Sequence, residues 1–305
     1  GNKTMVLGYD CRFGGVLFSE VVIHVMCSEG IKVYYDKSFV TTPMISLAAL
    51  ELNAFAGVII TASHNPPTYN GYKLKSHFGG PSIEADIQKV EDMIPDTFEI
   101  PTVDFAEMEE KGLLEYVNLE DMYFEKVEAA FDLEMIRNSN FNLAYDAMYG
   151  SGQNIFKRIM PKAKHLHCEH NPGFNGQAPE PIDKNLQELS HFLRDNDDYH
   201  LGLANDGDAD RIGLYSSKGK FIDAHHIILI LIHILHKHQG MSGKVVVAFS
   251  ASPKIQKMCK AYGLAYAVTK IGFKNIAPYM INEDVLVGGE ESGGIAVKGH
   301  IPERD

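Results

Sequence analysis

The chain has 305 residues, 45% of them hydrophobic and 22% charged, which is ordinary for a globular protein and long enough for two or three domains. Its net charge of −12 argues against a nucleic-acid binder, which presents a basic surface, but leaves anionic substrates open, because local Arg and Lys clusters decide that. Cys11, Cys27, Cys168 and Cys259 are scattered without a C-x-x-C pair, there is no signal-peptide pattern, and the longest apolar run, near residues 227–235, is broken by His233; reduced thiols, a cytoplasmic location and no membrane span are expected.

Residues 5–9 read as a strand ending in Asp10-Cys11-Arg12 and a Gly14-Gly15 turn. Helical spacing predicts a helix over 16–27, with Gly30 as its C-cap. Strands at 31–35 and 57–60 flank a helix over 44–52. This β-α-β-α-β order implies a parallel sheet with right-handed crossovers, which brings Arg12 and Ser63 to one edge. An added strand starts at Tyr72, a helix covers 81–93, the acidic stretch 96–119 is weakly patterned, and a helix follows over 120–130.

A second unit begins near Asn140. It holds a strand at 142–145, a helix over 153–160, a Gly/Pro/Asn-rich loop at 171–181, a helix over 183–194 and a strand at 200–203. Gly150-Ser151-Gly152 starts like a dinucleotide fingerprint, but Ile155 stands where the third glycine belongs, so it reads as a strand-to-helix turn. A third unit runs from near Phe221: helices over 225–238, 253–262 and 274–281, with strands at 244–249, 265–269 and 285–287. The expected fold is α/β: successive three-layer α/β domains with mixed, largely parallel sheets, over residues 1–138, 139–219 and 220–305.

Three stretches carry the chemistry. Thr61-Ala62-Ser63-His64-Asn65-Pro66-Pro67 follows a buried strand, and its prolines end the ladder. Ser63 is lifted onto a stiff turn beyond the carboxyl end of a parallel strand, where such sheets bind ligands. Its hydroxyl is a candidate nucleophile; alone, it reads equally as an N-cap. In Asp206-Gly207-Asp208-Ala209-Asp210-Arg211 the carboxylates alternate and share one face of an extended segment, where they repel unless a cation or protons intervene. Oxygen-only ligands suit Mg²⁺ or Ca²⁺. An EF-hand fails, because Arg211 stands where its glycine belongs and Ser217 where its glutamate belongs. Gly289-Glu290-Glu291-Ser292-Gly293-Gly294 pairs glycines, which let backbone approach a ligand, with groups that hydrogen-bond sugar hydroxyls.

Together, and in this order, the three stretches resemble the α-D-phosphohexomutase family of phosphoglucomutases and phosphomannomutases. The resemblance implies a phosphoserine at Ser63, Mg²⁺ on Ser63, Asp206, Asp208 and Asp210, and sugar contacts from Glu290 and Ser292. Arg12, Lys73 and Arg211 are the implied cationic partners of the phosphoserine. Lys73, in Asn70-Gly71-Tyr72-Lys73, is also a candidate acid/base, with a pKa lowered by Mg²⁺ and arginine; His64 is a candidate base or orienter. Thr269-Lys270-Ile271-Gly272-Phe273-Lys274 resembles a substrate-side loop, with Lys270 and Gly272 as contacts. The implied reaction interconverts hexose 1- and 6-phosphates through a hexose 1,6-bisphosphate, which also serves as activator. Many phosphomannomutase-type members have histidine where Gly294 stands, which favours glucose over mannose. Phosphoglucosamine mutase and a non-catalytic sugar-phosphate-binding protein are the alternatives, and the oligomeric state stays open. The family's fourth, phosphate-binding domain has no counterpart in these residues, so a fragment with weak or no mutase activity is expected. His165-Leu166-His167-Cys168-Glu169-His170 resembles a metal tract, but alternation puts only His165 and His167 on one face, which alone does not make a zinc site.

Overall fold

A computed structural model describes residues 3–305. In the first sheet β1 (Thr4–Tyr9) is central, parallel to both β2 (Lys32–Tyr35) and β3 (Ala56–Ile60), with α1 (Gly15–Ser28) and α2 (Thr42–Glu51) as crossovers. β4 (Tyr72–Ser76) and the short β5 (Gly80–Pro81) extend one edge in antiparallel fashion. Helices α3 (Glu84–Glu91) and α4 (Phe105–Glu110) lead to β6 (Leu114–Tyr116), which adds a parallel strand at the other edge. That strand lies in the stretch that looked unpatterned: only Leu114 of its three residues is buried, so the apolar alternation is too short to read.

Alternation along β1 sends Met5 and Leu7 to a cluster with Ile23 and Val33, and Val6 to one with Met44, Ile45 and Ile59. Helix layers on both faces follow from that split. α2 is buried along most of its length and caps its own N-terminus, with Thr41 Oγ1 accepting from the Met44 amide.

α5 (Leu119–Ala130) and α6 (Leu133–Asn138) precede the second sheet. There β7 (Leu143–Asp146) is central, followed by α7 (Gln153–Ile159) and parallel to β8 (Lys164–Leu166). α8 (Gln187–Asp195) leads to β9 (Leu201–Asn205), parallel to β7 on its other side, and β10 (Ile212–Ser216) and β11 (Phe221–Ile222) continue antiparallel. Phe221 and Ile222, assigned to the third unit from the sequence, thus close the second sheet. Residues 183–185 form a separate 3₁₀ turn before α8.

α9 (Ala224–His233), its π-helical extension over residues 234–238, and β12 (Lys244–Ala248) open the third sheet. α10 (Pro253–Tyr262) connects β12 to β13 (Tyr266–Thr269), and α11 (Ala277–Asn282) precedes β14 (Val285–Gly289); both strands run parallel to β12. β15 (Ile295–Val297) adds an antiparallel edge. Each sheet therefore has a central strand between two parallel neighbours and an antiparallel edge. In such sheets the crevice beyond the carboxyl ends of the central strands is the natural ligand position. All four cysteines are free and buried, and among the described residues no helix is long and apolar enough to cross a membrane.

Candidate active site at the junction of three sheets

β3 delivers Ser63 with φ +52°, a left-handed conformation uncommon for a residue with a side chain. The turn is locked from below. The Ser63 amide donates to Thr61 Oγ1 at 2.8 Å, Thr61 Oγ1 donates to Asp10 Oδ2 at 2.5 Å, and the Arg12 amide donates to Asp10 Oδ1 at 2.9 Å. Burial pushes the Asp10 carboxyl up to about 7, opposed by its hydrogen bonds from Thr61 and Arg12.

Arg12 is turned onto the backbone of the serine loop. Its guanidinium donates to the carbonyls of Pro66, Tyr69, Ser63 and Asn65 at 2.9, 3.1, 2.5 and 2.6 Å, and it lies 4.9 Å over the Phe174 ring. Four carbonyls converging on one buried guanidinium make it the inner scaffold of the serine loop. Arg12, expected as a cationic partner of the phosphoserine, here has its Nη donors engaged by the loop's own carbonyls.

The aspartate loop meets this turn head on. Ser63 Oγ donates to Asp206 Oδ2 at 2.9 Å, and carboxylate oxygens of Asp206, Asp208 and Asp210 lie within 4.8 Å of one another, all three residues buried. Close backbone approach makes this possible. A Cβ on Gly207 would sit 2.5 Å from the Ser63 carbonyl, and a Cβ on Gly150 would sit 2.6 Å from the Asp206 carbonyl. The first domain also grips the loop at α2, where the Thr42 amide donates to the Asp208 carbonyl at 2.9 Å and Thr42 Oγ1 to Asp208 Oδ2 at 2.5 Å. From the other side the Ser151 amide donates to the Gly207 carbonyl at 3.0 Å.

The three carboxylates differ. Asp206 accepts at Oδ1 from the amides of Asp210 and Arg211, at 3.0 and 3.1 Å. Burial, then the neighbouring Asp208 and Asp210 charges, push its pKa well up. Burial acts upward on Asp208 as well, but Lys73 and the Thr42 hydroxyl outweigh it and hold that carboxyl below its usual range. Lys73 Nζ lies 2.6 Å from Asp208 Oδ2 and 3.3 Å from Asp210 Oδ2. Burial alone would depress that lysine; the two aspartates win and raise it. The two aspartates hold the Lys73 proton here, whereas the lowering expected from Mg²⁺ and arginine concerns the metal-bound site.

Asp208 Oδ1 and Asp210 Oδ1 are buried with no hydrogen-bond partner. Unpaired buried carboxylate oxygens are costly, and an all-oxygen donor set is the chemistry a hard divalent cation takes. The residues present thus fit Mg²⁺.

The remaining predicted residues divide. Arg211 Nε stands 3.8 Å from Asp206 Oδ2 and 4.0 Å from Asp210 Oδ1, close but not hydrogen-bonded. His64 is half-buried, and its Nδ1 has no partner; burial and then Arg211 lower its pKa, so it is a neutral imidazole beside the loop. Glu290 is buried, accepts from the Gly272 amide at 2.8 Å, and has its pKa raised by burial. Lys270 and Ser292 are exposed on the loops flanking it. Gly293, with φ +95°, has its approach limited by protein: a Cβ there would meet the Ile212 carbonyl of the second sheet at 2.7 Å.

Sequence reasoning missed Thr42, Lys75, Glu303 and Arg304. Arg304 Nη2 lies 2.5 Å from Asp210 Oδ2, and its Nη1 lies 3.9 Å from Glu290 Oε2. It also occupies the space beside Gly294, where a Cβ would come within 2.3 Å of Arg304 Cδ. One signal was available: alternation places Lys75 on the same face of β4 as Lys73. The metal-like histidine tract dissolves. β8 ends at Leu166, and His167 turns away with φ +47° to bond Asp146 at 2.9 Å, while His165 packs edge-on to Tyr145 and Phe156.

Comparison with known proteins agrees with this geometry. Residues 1–100, 121–219 and 223–305 match, in turn, α/β/α domains I, II and III of phosphoglucomutase/phosphomannomutase. A phosphoglucosamine/phosphogalactosamine mutase of Sulfurisphaera tokodaii is 30% identical over 313 residues, covering 100% of this chain and 67% of that protein. A phosphoglucomutase/phosphomannomutase of Thermococcus kodakarensis is 27% identical, covering 99% and 65%. A crystal structure from Thermus thermophilus, classed provisionally as a phosphomannomutase, superposes with a TM-score of 0.91 at 32% identity, covering 100% of this chain and 69% of that one. The open form of the Paramecium phosphoglucomutase parafusin has the same fold, with a TM-score of 0.88 at 21% identity.

The fold and the aspartate–serine junction thus define a phosphohexomutase-type α/β/α assembly. The chain belongs to the phosphoglucomutase/phosphomannomutase family. It spans about two thirds of the length of the curated relatives it matches.

Proposed function

We propose that this protein is a phosphohexose mutase whose phosphorylated Ser63 exchanges a phosphoryl group with a hexose phosphate. The observation that carries the reading is the 2.9 Å contact of Ser63 Oγ with Asp206, inside a buried carboxylate trio contributed by a different sheet. A nucleophile and a hard-cation site that meet across a domain boundary are what phosphoryl transfer requires, since the protein mainly aligns the groups and neutralises charge.

Asp206, Asp208 and Asp210, together with the serine oxygen, would hold Mg²⁺, which when bound neutralises charge on the transferring phosphoryl oxygens. An Aspergillus fumigatus N-acetylphosphoglucosamine mutase of the same fold has been solved with GlcNAc-6P and magnesium. The chain's own residues do the rest. Arg12 and Asp10 hold the strained loop, so that Ser63 needs no reorganisation. The Lys73 ammonium lies against two of the carboxylates and supplies positive charge. Glu290, with Lys270 and Ser292 at the rim, is positioned to orient sugar hydroxyls.

In the first half-reaction the P–O bond to Ser63 breaks as one forms to the free 6- or 1-hydroxyl of a hexose phosphate. The hydroxyl proton is released and Ser63 regains one, giving a hexose 1,6-bisphosphate. The bisphosphate turns over and returns its other phosphoryl group to Ser63. Water must be kept from Ser63 while it carries the phosphoryl group, before the first transfer and after the second, or the phosphoenzyme is lost to hydrolysis.

Glucose is the favoured sugar in this reading. Gly294 stands where many phosphomannomutase-type members have histidine, and the Arg304 side chain fills the space beside it. Glucosamine is the second reading, because several curated relatives are named phosphoglucosamine mutases.

The test is intact mass with peptide mapping of the complete protein, followed by turnover on glucose, mannose and glucosamine 1-phosphates. Phosphate should map to Ser63 and vanish in Ser63→Ala along with turnover. An unphosphorylated wild-type protein with no turnover on any of the three would make it a binding protein instead.

A further inference from the structure

The chain leaves its third sheet after β15 and crosses to the first. Residues 301–305 lie against the β4–β5 turn, where a Cβ on Gly80 would strike the Pro302 carbonyl at 2.5 Å and one on Gly79 the Ile301 side chain at 3.2 Å. Tyr123 Oη of α5 donates to Asp305 at 2.6 Å. Beneath this segment Lys75 of β4 and Glu303 form an ion pair in which neither side chain has any exposure. Ser46 Oγ of α2 donates to the same carboxylate oxygen at 2.8 Å.

A buried lysine–glutamate pair is a poor stabiliser, since two apolar side chains of similar size often do as well or better. What it supplies is register. Glu303 can reach Lys75 and Ser46 only with the crossing segment in one position. The next residue, Arg304, then faces the aspartate loop, with Nη2 at 2.5 Å from Asp210 Oδ2. Lys75 and Lys73 lie two apart on one face of β4, so a single strand anchors both Glu303 and the aspartate trio.

We propose that Lys75, Glu303 and Ser46 form a positioning clamp that seats the Arg304 guanidinium against Asp210 and thereby sets how tightly the trio takes a divalent ion. The proposal rests on the reading of the trio as a divalent-cation site.

Calorimetric titration of Mg²⁺ into the complete protein tests it without relying on turnover. Removing the guanidinium in Arg304→Ala should tighten Mg²⁺ by at least about tenfold, since even in bulk water a unit charge a few ångströms from a divalent ion is worth that much. The paired variant Lys75→Met/Glu303→Met should tighten Mg²⁺ in the same direction. The triple variant should gain nothing beyond Arg304→Ala, because the clamp acts through that arginine. A folded clamp variant with wild-type Mg²⁺ affinity, or effects that simply add, would overturn the proposal. Ser46→Ala, which removes only one hydrogen bond, covers the case in which the paired variant does not fold: it should tighten Mg²⁺ by a smaller factor, and no change would count against the clamp. A wild-type protein that takes no divalent ion would instead overturn the cation-site reading itself.

Discussion

The two halves of the site are built differently. Where the serine and aspartate loops meet, backbone touches backbone: Gly207 lies against the Ser63 carbonyl, the Thr42 amide holds the Asp208 carbonyl, and the Ser151 amide holds the Gly207 carbonyl. The third sheet and the segment that leaves it reach the same centre largely through side chains, by way of Glu290 and Arg304, while Lys270 and Ser292 stay exposed. The half assigned to chemistry is preorganised, whereas the half assigned to the sugar combines a fixed Glu290 and Arg304 with an exposed rim at Lys270 and Ser292. Rigid first-domain contacts suit alignment of a phosphoryl group, in which small displacements are expensive. An exposed rim would suit the proposed bisphosphate, which has to bind in two orientations.

The largest expected effect that separates the halves is at Gly207. Gly207→Ala pushes a methyl group into the Ser63 carbonyl, so turnover should fall by about 100-fold, the scale of an ångström-sized misplacement. Melting temperature, measured alongside, should also fall, because the clash is with a backbone oxygen that no rotamer relieves, so turnover is read well below it. Unchanged turnover would show that the junction is looser than its contacts indicate. On the exposed rim, Lys270→Ala and Ser292→Ala should act mainly on KM, raising it by about tenfold with kcat nearly kept, as loss of uniform binding does. Equal losses in kcat and kcat/KM would place these residues with the chemistry instead.

A smaller effect tests the scaffold beneath Ser63. Asp10, raised to about 7 in the fold, binds a proton more tightly than in the unfolded chain. Its contribution to stability is therefore full below the ordinary carboxylate pKa and is lost as pH rises through about 7. In metal-free protein the melting-temperature difference between Asp10→Asn and wild type should move in favour of the variant from pH 5 to pH 8. A pH-independent difference would contradict the assignment. The smallest effect is spectroscopic. In imidazole NMR titrations His167, raised by its hydrogen bond to Asp146, should titrate above the free-imidazole range, and His165, lowered by burial, below it. Coincident titrations would mean that the tract is not split as described.

Much of this was legible before any coordinates. The parallel β-α-β core follows from β-branched runs and helical spacing, and each chemical loop follows directly on a recognisable strand. What stayed hidden has physical causes. β6 and β15 are three-residue strands, too short to carry a period, and β10 begins directly after the aspartate loop, which masks it. Arg304 and Glu303 act across 94 and 228 residues of sequence, a distance no local pattern encodes. Arg12 shows the limit of reading charge alone: the same guanidinium serves a phosphate or four carbonyls, and only the loop's curvature decides between them. Lys73 shows the converse, since its proton is held by two aspartates that the sequence places more than 130 residues away.

The φ of +52° at Ser63 also narrows which amino acid could carry a phosphoryl group there, as proposed above. Threonine has the same hydroxyl, but its branched Cβ crowds a left-handed backbone. The loop's shape therefore discriminates between two alcohols that solution chemistry treats almost alike, and a threonine at this place would have to distort the turn before it could meet its carboxylate.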